Sequence, residues 1–156
     1  MNFEKIEKAY ELILENAQLI ENDLKTHIYD ALIEQNSFYL GSPGASDHVV
    51  KNTEALAALS LSKEEWRRAF QFVFIKAGQT EQLQANHQFT PDSIAFILLF
   101  LLEELSSNDT LDILEIGSGT GNLAQTLLNN SKKSLDYLGI ELDDLFIDLS
   151  ASIAEI

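Results

Sequence analysis

From Phe3 onward, apolar side chains fall at Phe3, Ile6, Tyr10, Ile13, Ala17, Ile20 and Leu24. Spacings of three and four place them on one stripe of a helix. The spacing persists for only about three heptads and Ala17 is a weak knob, so packing within a bundle fits better than a coiled-coil seam. A second helical pattern covers residues 23–39, with Leu24, Ile28, Ala31, Leu32 and Gln35 facing inward, and the glycines and proline of "GSPG" at 41–44 end it. A third helix is expected over 47–59. Ser62-Lys-Glu-Glu65 reads as a capping box that opens a fourth helix through Trp66, Phe70, Val73, Phe74 and Ala77, and the helical spacing of these aromatics assigns them to the core.

After the glutamine-rich segment "AGQTEQLQANHQ" (77–88) the pattern changes. A helix is expected over 91–105, with Thr90 as N-cap, Pro91 at the first helical position and Asp92 facing the positive end of the dipole. Its run of nine apolar residues, 94–102, predicts burial nearly all round. There follow a strand at 111–116, a helix at 119–130, a strand at 135–141 and a last helix from 143. Strand, helix, strand is the unit of a parallel sheet. The expected fold is thus α/β but mostly helical: a helical domain over 1–82, then the first β-α-β part of a Rossmann-like domain over 83–156.

Composition narrows the chemistry. With 46% hydrophobic residues in 156 the chain is globular; it has no cysteine, and His27, His48 and His87 lie far apart, which argues against a metal centre. No signal sequence or membrane span is legible, and the expectation is a cytoplasmic protein without a membrane partner. The formal charge is −15. Residues 1–85 hold 13 acids and 8 bases, while residues 86–156 hold 12 acids and only 2 bases. Clustered Lys and Arg for phosphate binding are missing, so the chain alone is expected to bind nucleic acid poorly.

The glycine turn Gly117-Ser-Gly-Thr-Gly-Asn122 then carries the question of function. A P-loop needs a lysine after its last glycine, and no lysine occurs between Lys76 and Lys132. A dinucleotide fingerprint wants glycine or alanine where Asn122 stands, which leaves that reading a runner-up. The third reading takes Glu115, Gly117, Gly119 and Gly121 together. Alternate glycines let the backbone bend sharply close to a ligand, while a carboxylate there repels phosphate and suits an ammonium group. Glu141, 24 residues beyond Gly117, ends the second strand where an acid accepts hydrogen bonds from ribose hydroxyls.

"LDILEIGSGTGN" and "YLGIELDD" resemble the first two motifs of class I S-adenosylmethionine-dependent methyltransferases, and "NHQFTPDSI" resembles the F-T-P segment of the N6-adenine-specific DNA methyltransferases. That resemblance implies S-adenosylmethionine as cofactor. It implies that Phe89, Thr90 and Pro91 line its methionine end, that Glu115, Gly117, Ser118, Gly119, Thr120, Gly121 and Asn122 cradle it, that Glu141 takes the ribose and that Leu142 packs against adenine. Blander roles stand beside these: Thr90-Pro91 is an ordinary helix start, Phe89 suits a core, and Glu141 suits a solvated strand end.

The family's Asn/Asp-Pro-Pro-Tyr/Phe motif is absent, the only prolines being Pro43 and Pro91. No catalytic residue is therefore assigned. The expectation is an N-terminal, cofactor-binding portion, inactive alone, that meets DNA only through a part not encoded here. Its strand edges lack covering elements, which predicts a homo-oligomer. The rivals are a non-enzymatic helical interaction module, a nicotinamide-dependent oxidoreductase, and a methyltransferase acting on a protein or small molecule.

Overall fold

The computed structural model describes residues 1–80 and 89–156, the side chains of 79 and 80 excepted. The expected boundary at 82/83, His87 and the start of the "NHQFTPDSI" segment lie outside the described residues. Four helices come first: α1 (Phe3–Leu24), α2 (Ile28–Tyr39), α3 (Asp47–Ala58) and α4 (Lys63–Thr80). The remaining elements are α5 (Asp92–Leu105), β1 (Thr110–Ile116), α6 (Asn122–Asn130), β2 (Ser134–Ile140) and α7 (Asp144–Ala154).

Caps account for most of the boundaries. Asn2 Oδ1 accepts from the Glu4 and Lys5 amides at 3.0 and 3.3 Å and opens α1. The α1 stripe is buried at Ile6, Ile13, Ala17 and Ile20, while Phe3 and Leu24 at its two ends are exposed. The second helix starts at Ile28, five residues later than the periodicity suggests. Lys25 adopts a left-handed conformation (φ 51°) that closes α1, and the His27 side chain caps α2 by accepting from the Tyr29 amide. The capping box of α4 forms reciprocally: the Glu65 amide donates to Ser62 Oγ at 3.3 Å and the Ser62 amide to Glu65 Oε2 at 3.0 Å. Glu65 Oε1 also accepts from the Asn2 amide at 2.7 Å, tying the starts of α1 and α4 together. These backbone donors hold the Glu65 carboxyl down to about 2.

β1 and β2 form a parallel pair in register from Thr110↔Ser134 to Ile116↔Ile140, joined through α6. One face of the pair carries Leu111, Ile113 and Glu115 beside Leu135, Tyr137 and Gly139. The other carries Leu114 and Ile116 beside Leu138 and Ile140, all four exposed. The core is continuous from the helical region into the last helix: Phe146, Leu149 and Ile153 of α7 join one cluster with Ile13, Leu32, Phe70 and Phe74. Asn36 of α2 adds a hydrogen bond to Ser152 Oγ of α7 at 2.9 Å.

Three further sequence expectations need correction. α5 is not buried all round: only Ala95 and Leu99 are buried, while Phe100 is 61% and Leu105 82% exposed. Hydropathy reports which side chains prefer burial, not whether a neighbour is present to cover them. Thr90 is not the N-cap of α5. Pro91 holds that position with extended backbone, and its carbonyl accepts from the Ile94 and Ala95 amides at 2.9 and 3.1 Å. α6 begins at Asn122 rather than 119, because Gly117, Gly119 and Gly121 all take positive φ, which a right-handed helix cannot include. Among the described residues, no helix is long and apolar enough to cross a membrane.

Candidate functional site

The glycine turn leaves the end of β1 and hangs from the end of β2. The Gly117 and Ser118 amides donate to the Ile140 carbonyl at 2.7 and 3.1 Å, and the Gly119 amide donates to Glu141 Oε2 at 2.7 Å. Gly117, Gly119 and Gly121 have φ of 79°, 54° and 77°, values that β-branched and bulky residues avoid. At Gly117 and Gly119 an added Cβ would meet nothing within 4 Å, so backbone conformation, not crowding, requires glycine there. Gly139 of β2 is the reverse case: its Cβ would lie 2.9 Å from Ser118 Cβ, so the turn crosses the strand only because no side chain is present.

Below the turn a cavity of about 320 Å³ opens, within the range of small-molecule sites, about 300–1,000 Å³. Of the residues expected from the sequence, Phe89, Thr90, Glu115, Gly117, Ser118, Gly119, Thr120, Asn122 and Glu141 line it together. Pro91, Gly121 and Leu142 do not. Pro91 and Gly121 cap the helices on either side, and Leu142 projects outward, 96% exposed.

Four further lining residues escaped the sequence reading: Tyr29, Phe74, Leu123 and Phe146. The three aromatics come from α2, α4 and α7, none of them part of the strand-turn motif. The helical spacing of Phe74 with Trp66 and Phe70 assigns it to the core, where it also lies. The rings form a connected array, Tyr29 to Phe146 at 5.7 Å, Tyr29 to Phe74 at 6.4 Å and Phe74 to Phe89 at 5.8 Å between centroids.

The polar lining divides into acceptors and donors. Burial raises the Glu115 carboxyl above its ordinary range; the Tyr137 hydroxyl, donating to Oε2 at 2.8 Å, partly offsets this, and the nearby Glu141 charge adds to it. Burial and the Glu115 contact together push the Tyr137 hydroxyl up, so it stays a donor. Glu141 spends one oxygen on the Gly119 amide and the other on the Leu142 and Asp143 amides at 2.7 and 3.1 Å, which fixes it at the end of β2.

On the donor side, Thr120 Oγ1 and Asn122 Nδ2 are buried and meet no partner among the described residues. Asn122 is oriented from outside the turn. Arg67 of α4, 1% exposed, donates through Nη1 to Asn122 Oδ1 at 3.1 Å and to Asp92 Oδ1 at 3.1 Å, and through Nε and Nη2 to Glu64 at 2.8 and 2.6 Å. Arginine has no acceptor, so the amide atom facing it must be the oxygen and the nitrogen is left over. Burial alone would raise the Glu64 and Asp92 carboxyls, but hydrogen bonds and charge from Arg67 hold both below their usual range. This bridge across α4, α5 and α6 escaped the sequence reading. Its one signal was Arg67 lying on the apolar stripe itself, three residues before Phe70 and seven before Phe74. His27 and His48 lie elsewhere, one capping α2 and the other paired with Glu15 at 3.1 Å.

No family model matches the chain. It is similar over its whole length to the uncharacterized protein YtxK of Bacillus subtilis, at 32% identity in a 169-residue alignment that takes in 50% of that protein. It is also similar to a solved Listeria monocytogenes protein described as a candidate class I S-adenosylmethionine-dependent methyltransferase. There the TM-score is 0.85 at 26% identity, over 99% of this chain and 50% of that one. The chain spans half the length of each protein it matches. Its fold, mostly helical with a small parallel sheet, is that of half of the Listeria protein.

Proposed function

We propose that this chain is the cofactor-binding portion of an S-adenosylmethionine-dependent methyltransferase, and that the longer parent methylates adenine N6 in DNA. One observation carries the cofactor assignment: a turn of three positive-φ glycines stands over a cavity lined by Glu115 and Glu141 and holding the unpartnered polar atoms of Thr120 and Asn122. Two carboxylates disfavour a diphosphate. They suit a ligand with ribose hydroxyls and an ammonium group, and the cavity's size is adequate for one. The described likeness of the Listeria protein supports the same cofactor.

When bound, the cofactor supplies an activated methyl group on a sulfonium sulfur. The chain's own residues hold and orient it: Glu141 at the ribose, the glycine turn along the amino-acid tail with Glu115 near its ammonium, and Phe89 and Thr90 beside the methionine end. Orientation of this kind contributes rate without any protein group joining the chemistry. Adenine as acceptor rests on the F-T-P segment, of which Phe89 and Thr90 line the cavity. The excess of 12 acids over 2 bases in residues 86–156 favours a second reading, with a protein or small-molecule acceptor.

Calorimetric titration with S-adenosylhomocysteine and with NAD tests the cofactor assignment. Heat with the first and none with the second is expected. Binding of NAD alone would move the site to a dehydrogenase, and silence with both would leave the interaction-module reading.

A further inference from the structure

The cavity is lined by four aromatic rings, Tyr29, Phe74, Phe89 and Phe146, together with the carboxylates Glu115 and Glu141. Among the described residues no lysine or arginine lines it; the nearest arginine described above, Arg67, is already committed to Glu64, Asp92 and Asn122. A wall of π-systems beside two acids is an unfavourable place for an anion and a favourable one for a cation. Aromatic quadrupoles attract a positive charge within about 6 Å of the ring centroid, by about 0.5–2 kcal/mol according to desolvation.

Three of the four rings come from helices outside the glycine turn, α2, α4 and α7, and pack on one another at 5.7 and 6.4 Å. Tyr29, Phe74 and Phe146 are also buried in the core, so each ring fills core volume as well as lining the cavity. A ring at each position gives the cavity wall a charge preference that aliphatic side chains lack.

We propose that Tyr29, Phe74, Phe89 and Phe146 are specificity-determining residues that read the positive sulfonium of the cofactor, so that the helical region sets how strongly the site prefers the methyl donor over the neutral thioether product. This rests on the reading of the cavity as an S-adenosylmethionine site. The two ligands differ only by one methyl group and one unit of charge at sulfur, so their affinity ratio isolates the effect.

The test is calorimetric titration of S-adenosylmethionine and S-adenosylhomocysteine into the 156-residue chain and its Tyr29→Leu, Phe89→Leu and Tyr29→Phe variants, each checked for an unchanged far-ultraviolet spectrum. Loss of a ring should weaken S-adenosylmethionine about fivefold more than S-adenosylhomocysteine, which corresponds to about 1 kcal/mol. Tyr29→Phe keeps the ring and should keep the wild-type ratio. Equal losses for both ligands in the leucine variants, or no loss, would show that the rings only fill space and would overturn the proposal while leaving the cofactor assignment intact. If the unaltered chain binds neither ligand, the cofactor assignment falls and the proposal with it. Should Tyr29→Leu fail to fold, Phe89→Leu decides, since Phe89 is only half-buried and lies outside the helices.

Discussion

The helical region and the α/β region of this chain solve the problem of burial differently. α1 to α4 close on a shared core in which Ala9, Ile13, Leu32, Ala69 and Val73 have essentially no exposed surface, and α7 completes it. Among the described residues the sheet has two strands, one face half-buried and the other bearing exposed Leu114, Ile116, Leu138 and Ile140, and α5 is apolar and largely open. Stability is therefore concentrated in the first region, whereas the glycine turn and its carboxylates stand on the second. The cavity lies where they meet, with aromatic rings from one and polar groups from the other. Because Arg67 and α7 join the two regions, the helical part acts as the wall of the site as well as its support.

This contrast is sharpest in the response to truncation. Phe70, 2% exposed and stacked between Trp66 and Phe74 at 5.9 and 6.1 Å, is in the closed core. Phe70→Ala should lower unfolding free energy by about 3–5 kcal/mol, measured by urea denaturation; a loss below about 1 kcal/mol would mean the core is less closed than described.

At the junction, Gly139→Val should force the turn away from β2. We expect at least a tenfold loss of S-adenosylhomocysteine affinity, about 1.4 kcal/mol, with a smaller change in melting temperature than Phe70→Ala causes. Unchanged affinity would show that the turn's position is immaterial to the ligand.

Glu65→Ala removes one capping box and the Asn2 contact, and about 1 kcal/mol should follow in thermal or chemical unfolding. The sign with pH is fixed. The folded Glu65 carboxyl sits at about 2, below its ordinary 4.5, so its stabilisation is complete above the ordinary value and is lost as pH falls toward the lower one. The variant should lack that acid-labile component; an identical acid profile would contradict the capping assignment.

Leu114→Ser on the open face should change stability by no more than about 0.5 kcal/mol. The same change should reduce self-association of the 156-residue chain in sedimentation velocity, because four apolar side chains and α5 offer a sticky surface. A monomer at high concentration in both forms would remove the expected homo-oligomer.

Much of this was legible in the sequence, for reasons that differ by residue. The capping box at Ser62 and Glu65 and the glycines of the turn carry local signals, since the hydrogen bonds or the dihedral angles they need involve near neighbours. Nine of the twelve expected site residues line one cavity because strand ends and the turn between them bring Glu115 and Glu141 together whatever the rest of the chain does. Tyr29, Phe146 and the Arg67–Asn122 bond were not legible, because they depend on how α2, α4 and α7 pack around the turn, Arg67 lying 55 residues before Asn122. The exposure of α5 is illegible for the opposite reason: its strong local pattern states a preference for burial but not the presence of a neighbour.

A crystal structure of the chain grown with S-adenosylhomocysteine tests most directly whether the junction of the two regions is a nucleoside site. We expect density under the glycine turn, with the ribose hydroxyls on Glu141 and the thioether against the rings of Tyr29, Phe74, Phe89 and Phe146. Ligand bound on the open sheet face or along α5, with the cavity holding only water, would contradict the assignment.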